Sequence, residues 1–444
     1  MIVVLGGGPA GRIASIRLAS AGKEVTLVES GGIGGQCLHF GCMPVCALTD
    51  VARTLDTART YQHLGIVGSV PAINFPRLFT EMQAIQQKIA SVLDSETKTA
   101  GVNIVYGKTG RVSGEQVFIG DELVKAEAVI AATGSRPNIP AVDGIVLSGV
   151  YTPHTLPAIQ VLPKNLVIIG GDVMAAEFAY IFSRFGSDVT ILCRSGFLKT
   201  LDKHLRTIAI KELSGVEIRE NARVSSIRGA SRVTAVAYDI EGKVNSIDAD
   251  AVLIAAGLVP RSDQINGVKK GTIEEVLVND RMQTSVPTVY ACGDVTGPPY
   301  LTPVARHEGL VAADNILGRD RHMDYRCIPR SINLAHELAY CTTDVRGSAT
   351  LAIPGPAGPG TFWSVPAGDT GLAKIMADPI TGEITGMCAA GPGGGLIAGY
   401  LSFLMQRHIT IHDFEDFIEV HPSTDGVYGL AKYTSEVLNK RNSV

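Results

Sequence analysis

The sequence predicts a multidomain α/β protein in which two strand–turn–helix units precede a smaller α+β portion. Three observations support this fold class. The chain has 444 residues, which suggests several domains of roughly 100–200 residues each. Gly accounts for 49 of the 444 residues, about 11% against a usual level of roughly 7%, and no repeat explains the excess. A strand followed by a glycine-rich turn and a helix occurs at Gly6 and again at Gly170.

Composition excludes several classes of protein. Hydrophobic residues make up 45% of the chain and charged residues 18%, which is typical of a folded protein. The net charge of −4 gives no reason to expect nucleic-acid or membrane-surface binding. Apolar stretches such as Leu396–Met405 are shorter than the roughly 20 residues of a membrane-spanning helix. A strand that begins at Ile2 leaves no room for a targeting peptide, so we expect a cytoplasmic enzyme without nucleic-acid or membrane partners.

The first unit has the pattern of a dinucleotide-binding βαβ fold. A strand over Ile2–Leu5 leads into a glycine-rich turn and an amphipathic helix over Arg12–Ala21, and a second apolar run, Glu24–Val28, ends at Glu29. The glycines permit a tight turn and close passage of a pyrophosphate, which the helix N-terminus attracts. The carboxylate of Glu29 is expected to bind a ribose, and the alternative is plain tight packing. The predicted binding residues of the turn are Gly6, Gly8, Pro9, Ala10 and Gly11.

The second unit repeats this pattern with one change. Strands over Leu166–Ile169 and Asp188–Leu192 flank a turn that begins at Gly170, but Asp172 stands where the fingerprint has the glycine that admits a pyrophosphate. Two unit charges of the same sign, about 4 Å apart at an effective dielectric near 20, repel by about 4 kcal/mol. The chain therefore binds either two dinucleotides or one, with the second unit a remnant.

Three further apolar runs each end in a glycine turn, and the last part of the chain differs in character. These predicted strands are Val129–Ala132, Val252–Ala256 and Thr288–Ala291. After Arg330, a Pro/Gly-rich stretch over Pro354–Gly360 precedes a predicted strand over Gly371–Ala377 and a predicted helix over Leu396–Arg407. We expect this portion to form an α+β domain of its own.

The most informative segment runs from Gly34 to Pro44 and reads GGQCLHFGCMP. Cys37 and Cys42 are five positions apart, which does not fit the CxxC spacing of zinc sites, and we predict no metal site. The spacing permits a disulfide if the intervening turn brings the two residues within reach. In a cytoplasmic protein such a pair is more often catalytic than structural, a buried structural pair being the alternative.

Taken together, these motifs resemble those of the class I pyridine nucleotide–disulfide oxidoreductases, which include dihydrolipoamide dehydrogenase, glutathione reductase and mercuric reductase. The resemblance covers essentially the whole chain. It implies two Rossmann-like nucleotide-binding domains and a C-terminal α+β dimerisation domain over 329–444. The FAD-binding domain, over 1–148 and 262–328, would be split by an NAD(P)-binding-like domain over 149–261. Besides the first turn and Glu29, the resemblance assigns to FAD the residues Gly35, Thr133, Gly134, Gly293, Asp294, Leu301 and Thr302.

The resemblance also implies an enzymatic mechanism. Cys42 would lie against the flavin as the charge-transfer thiolate, and Cys37 would attack a small disulfide substrate. Two thiols are needed because electrons leave reduced FAD as a pair and pass through a mixed disulfide. His421, in a His-Pro-Ser segment, would act as the active-site base in the partner subunit of a homodimer.

Two departures from the family pattern affect the redox centre. Cys46 stands where the family has a Lys beside the flavin, a Lys that normally pairs with a Glu at the position of Glu177. Glu177 is therefore expected to lack its usual partner. Cys46 either fills space on a helix or exchanges with the predicted Cys37–Cys42 disulfide.

Two other departures affect the nicotinamide side and the C-terminal base. Arg194 and Lys199 resemble the pair that binds the 2′-phosphate of NADPH, although they could be solvated surface cations, and Gly170 begins the corresponding turn. The family's His-orienting Glu is absent, and Asp425 lies one residue early, so it would contact His421 only through an altered backbone; otherwise His421 would cap the dimer interface. We predict FAD with NADP or NAD as cofactors. The alternatives are a protein electron donor and a non-catalytic redox subunit.

Overall fold

The computed structural model describes residues 1–343, 350–362 and 369–442. The helices are α1 Pro9–Ser20, α2 Gly35–His39, α3 Cys42–His63, α4 Phe75–Thr99, α5 Val173–Phe185, α6 Lys203–Glu212, α7 Thr302–Ile316, α8 Pro359–Phe362, α9 Gly394–Met405 and α10 Gly426–Asn442. The strands are β1 Ile2–Leu5, β2 Val25–Glu29, β3 Asn103–Tyr106, β4 Gly110–Ser113, β5 Gln116–Ile119, β6 Glu122–Val124, β7 Ala128–Ala131, β8 Ser135–Pro137, β9 Val150–Tyr151, β10 Asn165–Ile169, β11 Asp188–Leu192, β12 Glu217–Arg219, β13 Arg223–Arg228, β14 Ala235–Ile240, β15 Lys243–Asp248, β16 Ala251–Ile254, β17 Leu258–Pro260, β18 Ile265–Asn266, β19 Val289–Ala291, β20 Arg330–Asn333, β21 Glu337–Thr342, β22 Leu351–Gly355, β23 Leu372–Ala377 and β24 Ile384–Gly391.

The first sheet is parallel and has the strand order β19-β7-β1-β2-β3. Both faces of its central strands are covered, and every residue of β1, β2 and β7 is buried. β19 comes from beyond residue 261, so the sheet is assembled from the two segments that the split domain requires. The carboxyl ends of β1, β7 and β19 meet at one edge, which places the turn after β1 beside the turn at Gly293.

The second sheet is also parallel, with the order β12-β11-β10-β16-β9, and it carries α5. Phe178 and Phe182 of α5 are fully buried in a core that also contains Leu48 of α3. Helix α3 begins at Cys42 and packs on α5, which begins at Val173. The hydrophobic contact between these helices therefore links the redox segment to the second nucleotide-binding unit.

The C-terminal portion is an antiparallel sheet with the order β20-β21-β24-β23-β22, accompanied by α9 and α10. The described residues thus form an α/β protein of the predicted class. Several predicted bounds differ by one to three residues; α1, for example, begins at Pro9 because proline suits the first helical position. No helix among the described residues is both long and apolar enough to cross a membrane.

Candidate active site

A cavity of about 560 Å³ lies at the carboxyl edge of the first sheet. Residues from many places in the chain line it, among them the turn after β1, the end of β2, the redox segment, and the turns after β7 and β19. The predicted site residues in its wall are Gly6, Gly8, Pro9, Ala10, Glu29, Gly35, Cys37, Cys42, Thr133, Gly134, Gly293, Asp294 and Thr302. Residues that the sequence distributes over nearly 300 positions therefore share one cavity.

The N-terminus of α1 is open to this cavity. Gly8 is the N-cap of the helix, it makes no side-chain cap, and the first turn contains no acidic residue, so the terminal N–H groups stay available to an anion. Gly6 has φ +106°, and a Cβ there would lie 2.3 Å from the Ala132 carbonyl oxygen. A Cβ on Gly35 would lie 2.7 Å from the Cα of Gly8. These glycines keep the cradle shallow enough for a pyrophosphate.

Gly11 and Leu301 do not line the cavity. A Cβ on Gly11 would lie 2.0 Å from the Gly6 carbonyl oxygen, so this glycine lets the helix pack against the turn. Leu301 is the N-cap of α7, in extended conformation, and positions Thr302 at the start of that helix. Both residues shape the site from behind its wall.

Polar groups in the cavity wall suit the rest of an FAD molecule. The Glu29 carboxylate accepts hydrogen bonds from the backbone N–H groups of Gly7 (2.6 Å) and Gly31 (2.7 Å), which fixes it at the end of β2. Asp294 accepts a hydrogen bond from the Ser135 hydroxyl (2.6 Å), while burial raises the pKa of Asp294. The buried hydroxyl of Tyr300 has no hydrogen-bond partner among the described residues. An unpaired buried hydroxyl and an open helix terminus fit FAD in this cavity.

The redox cysteines lie at the cavity on two consecutive helices. Cys37 is in α2, Cys42 is the first residue of α3, and both are free thiols, so the structure represents the reduced pair. The hydrogen bond between the two thiols lowers the pKa of Cys37 to about 6, aided by Thr302 and Arg306 against the opposing effect of burial. The same hydrogen bond, together with burial, raises the pKa of Cys42. Cys37 is therefore the more nucleophilic thiol of the reduced pair near neutral pH.

The second nucleotide-binding unit differs from the first at its helix terminus. Asp172 is the N-cap of α5, and its carboxylate accepts a hydrogen bond from the Val173 N–H (2.9 Å). A carboxylate of this chain thus occupies the place where a pyrophosphate would bind. Arg194 and Lys199 are exposed, and a Cβ on Gly170 would lie 2.1 Å from the Ala255 carbonyl oxygen. The terminus of α5 does not fit a pyrophosphate in the way that the terminus of α1 does.

Glu177, which lacks the family's lysine partner, has a different hydrogen-bond partner. Asn333, the last residue of β20, donates to the Glu177 carboxylate from its backbone N–H (2.9 Å) and from its side-chain amide (3.3 Å). Burial raises the pKa of Glu177 to about 7, although these two hydrogen bonds oppose the shift. A neutral residue from the C-terminal portion thus donates to Glu177, whereas the family pattern has the ammonium group of a lysine beside this carboxylate.

His421 and Asp425 lie outside the cavity of their own chain but contact each other. The distance between His421 Nδ1 and Asp425 Oδ2 is 2.7 Å. The side chain of His421 is 66% exposed, whereas Asp425 is buried. The structure therefore contains the contact that an altered backbone was expected to allow, with Asp425 in position to orient the exposed imidazole.

Sequence reasoning missed three residues near the cysteines. Arg306 follows Thr302 by one helical turn, a spacing that could have indicated it. Glu308 accepts hydrogen bonds from the Gly293 N–H (2.6 Å) and the Tyr325 hydroxyl (2.7 Å), and burial raises its pKa to about 7. His154 lines the cavity from a loop in which no motif marks it.

His154 contacts two residues of the redox segment in the cavity wall. Its Nε2 lies 3.0 Å from the side-chain oxygen of Gln36, and its ring stacks on Phe40 with centroids 4.5 Å apart. Burial lowers the pKa of His154 to about 4, and the charge of Arg261 adds to this effect. The imidazole is therefore uncharged near neutral pH. Its stacking contact holds Phe40, the residue that precedes Gly41 and Cys42.

A cavity that fits FAD and opens on a pair of hydrogen-bonded cysteine thiols defines a flavoprotein that exchanges electrons with disulfides. The model of the pyridine nucleotide-disulphide oxidoreductase family matches residues 1–309, and the chain belongs to this family. It is an FAD-dependent disulfide oxidoreductase similar to dihydrolipoyl dehydrogenases.

Individual relatives support this assignment along the whole chain. A dihydrolipoyl dehydrogenase of Bacillus subtilis is 30% identical, with 95% of each chain covered. The dihydrolipoyl dehydrogenase of Geobacillus stearothermophilus is 30% identical, over 95% of this chain and 93% of the relative. Among solved structures, the HOCl-induced flavoprotein disulfide reductase RclA from Escherichia coli superposes with a TM-score of 0.84 at 22% identity, over 99% of both chains. This last likeness supports the fold.

Proposed function

We propose that the protein works as a homodimer that exchanges electrons between bound FAD and a small disulfide or dithiol substrate through Cys37 and Cys42. The observation that carries the proposal is the thiol pair itself. It opens on the cavity that fits FAD, and the pKa of Cys37 is lowered to about 6 by its hydrogen bond with Cys42. A structural pair would not need one thiol activated in this way.

The chemistry of the chain's own residues follows from this activation. The Cys37 thiolate attacks one sulfur of the substrate disulfide, a mixed disulfide forms, and the first substrate thiol leaves with the electron pair of the broken bond. The Cys42 sulfur then attacks Cys37, which closes the Cys37–Cys42 disulfide and releases the second substrate thiol. Bound FAD supplies the two electrons that return this disulfide to the dithiol form. With a dithiol substrate, the same steps run in reverse.

The substrate thiols need protons, and His421 is the proposed donor. His421 is exposed and lies outside its own cavity, so it would serve the cavity of the partner subunit. Helix α9 offers an apolar face for such a dimer, since Leu396, Tyr400 and Phe403 are spaced for one side of the helix and are exposed. A row of exposed apolar side chains along one side of a helix is typical of an interface between protein chains.

Two features of the second nucleotide-binding unit bear on the source of electrons for FAD. The exposed cations Arg194 and Lys199 favour NADPH among nicotinamide nucleotides. A second candidate, a protein electron donor, is favoured by Asp172, whose carboxylate already caps α5. We place the protein in the cytoplasm, where a pair of cysteines is more often catalytic than structural.

The test is an anaerobic spectral titration of the purified holoenzyme with NADPH, with NADH and finally with dithionite. Flavin reduction by a nicotinamide nucleotide, with a long-wavelength charge-transfer band at the two-electron stage, is expected. Cys42→Ser should lose that band and its turnover while keeping its FAD. If Cys42→Ser keeps the charge-transfer band and its turnover, the proposed function is wrong. If only dithionite reduces the flavin, the protein donor replaces NADPH in the proposal.

A further inference from the structure

We infer that Cys46 is a third exchange thiol of this site, which takes over Cys42 from the Cys37–Cys42 disulfide and releases Cys37. This inference rests on the proposed function and adds a residue to it. Its basis is the arrangement of three accessible thiols on α2 and the first turns of α3.

The distribution of cysteines singles out this segment. Cys42 and Cys46 are exposed and Cys37 is partly exposed. The other five cysteines are buried in the cores of the nucleotide-binding and C-terminal portions. They are Cys193, Cys292, Cys327, Cys341 and Cys388. Cys46 therefore lies with the two redox cysteines and apart from the core cysteines.

The helix places Cys46 within reach of Cys42. The two residues are four apart on α3, so they lie on the same face with their Cβ atoms about 5–6 Å apart. A disulfide needs a Cβ separation of about 3.5–4.5 Å, so closure requires a movement of about 1–2 Å. The movement would fall on the first turn of α3, whose N-cap is Gly41, a residue type that adopts a wide range of backbone conformations.

The pKa of the Cys46 thiol is raised, chiefly by burial and further by the charges of Cys42 and Glu177, so only a minor fraction is thiolate near neutral pH. Arg53 lies two turns further along the same helix, and its positive charge opposes this shift. The Nη2 group of Arg53 is buried and has no hydrogen-bond partner among the described residues.

The exchange needs no external oxidant or reductant. Cys46 first loses its proton to solvent, and its thiolate attacks the Cys42 sulfur of the Cys37–Cys42 disulfide. The Cys42–Cys46 bond forms, the Cys37–Cys42 bond breaks, and Cys37 leaves with the electron pair as a thiolate. The oxidised enzyme thereby keeps Cys37 free, and although the hydrogen bond from the Cys42 thiol is lost, Thr302 and Arg306 still favour the Cys37 thiolate. Cys37 can then form a mixed disulfide with the substrate without a prior transfer of electrons from the flavin.

The sequence offers a direct assay, because Met43 lies between Cys42 and Cys46. Cyanogen bromide cleaves after Met43, so the two fragments stay joined until reduction only when Cys46 is paired with Cys42 or Cys37. The assay uses holoenzyme oxidised with diamide, alkylated under denaturing conditions, cleaved and weighed by mass spectrometry. Free thiols are counted before and after oxidation.

We expect joined fragments in part of the wild-type protein and in nearly all of Cys37→Ser, which should lose two thiols on oxidation. Cys37→Ser/Cys46→Ser, the matched control, should lose none, and all variants should retain FAD. If Cys37→Ser keeps both thiols or its fragments separate without reductant, the inference is wrong. If wild-type protein itself loses no thiols on oxidation, the proposed function fails instead.

Discussion

The Cys37 thiol owes its low pKa to neighbours that the fold brings together from distant parts of the chain. Cys42 donates the main hydrogen bond, and Thr302 and Arg306 of α7 add to its effect. Replacing Cys42 by alanine removes the largest contribution. We predict that the pKa of Cys37 in Cys42→Ala rises from about 6 towards the ordinary value of about 8.5.

The measurement is the ultraviolet absorbance of the thiolate as a function of pH in the reduced protein. Arg306→Ala should move the same midpoint upward by less, because an exposed charge is screened by solvent. A midpoint that stays near pH 6 in Cys42→Ala would show that another group sets the charge of Cys37.

The Asp425 carboxylate is predicted to orient His421 for proton transfer. Asn has nearly the same shape but loses the charge that holds the imidazole in one orientation, so Asp425→Asn should lower turnover by about 10–100-fold. The pH profile of kcat should change while KM for the disulfide stays close to that of wild type. Asp416→Asn, at an exposed position of the same segment, is the control. Equal turnover in both variants would remove Asp425 from the mechanism.

At the scale of single residues, the sequence supports the site only where a motif marks a position. Cys37 and Cys42 are recognisable from their spacing and flanking glycines. Asn333 is not recognisable as a partner of Glu177, because it lies 156 positions away and belongs to a strand of the C-terminal sheet. Contacts of this kind depend on how the C-terminal portion packs on α5, and no local pattern encodes them.

Among the secondary-structure elements, α1 and α5 form a matched pair that differs at the N-cap. Gly8 leaves the terminus of α1 open, whereas Asp172 closes that of α5 with a hydrogen bond to Val173. We predict that Asp172→Gly binds NADPH at least tenfold more tightly, since the repulsion of about 4 kcal/mol at short range is an upper bound for an exposed carboxylate. Loss of the cap to glycine should cost α5 only a few tenths of a kcal/mol.

Calorimetric titration with NADPH measures this effect, and Asp172→Asn separates charge from bulk. If charge dominates, Asn should recover most of the gain in affinity. Unchanged affinity in both variants would mean that the second unit is closed to nicotinamide nucleotides for another reason, and it would favour a protein donor.

The junction of α5 with β20 should make stability depend on pH. Burial raises the pKa of Glu177 to about 7 from an unperturbed 4.5, so the folded protein holds a proton that the unfolded chain releases between these values. Its contribution to the free energy of unfolding therefore falls as pH rises from about 4.5 to 7, by about 3 kcal/mol at most, and is constant above that range.

Glu177→Gln keeps the acceptor for Asn333 and cannot ionise, so it should remove this part of the pH dependence and be more stable than wild type above pH 7. Urea unfolding at several pH values measures the difference. Parallel curves for the two proteins would contradict the assignment of the proton to Glu177.

The sequence pattern predicts the bounds of some elements correctly and shifts those of others by a few residues. The strand Asp188–Leu192 was predicted with its observed limits. The helix predicted over Leu396–Arg407 instead runs over Gly394–Met405, because glycines that suggest a turn also fit the first turn of a helix after Gly393 in the left-handed conformation. Periodicity locates such an element, and backbone conformation sets its ends.

At the scale of the whole molecule, the sequence predicts the α/β class from the two repeated units, and the family resemblance supplies the order of the domains. Neither the repeated units nor the resemblance predicts the packing contact that links the domains. Helix α3 starts in the redox segment and packs through Leu48 on the α5 core, so a change at Cys42 and a change at the N-terminus of α5 act on one packed pair of helices. The domain bounds themselves stay a prediction.

The proposed homodimer gives the most demanding test of the whole arrangement, because each cavity would need residues from two chains. A Cys37→Ser chain and a His421→Ala chain should each form inactive homodimers. In a mixed dimer, one site combines the intact cysteine pair of the second chain with the intact His421 of the first, while the other site is defective in both. Random reassortment of equal amounts places half of the chains in such dimers, so activity should return to about a quarter of the wild-type level.

The measurement is disulfide reductase activity after the two variants are dissociated together and reassembled, with FAD content monitored throughout. Reassembly of each variant alone is the control and should give no recovery. If the mixture stays inactive although mass spectrometry shows mixed dimers, His421 acts within its own chain or not at all, and the exposed imidazole beside Asp425 has another role.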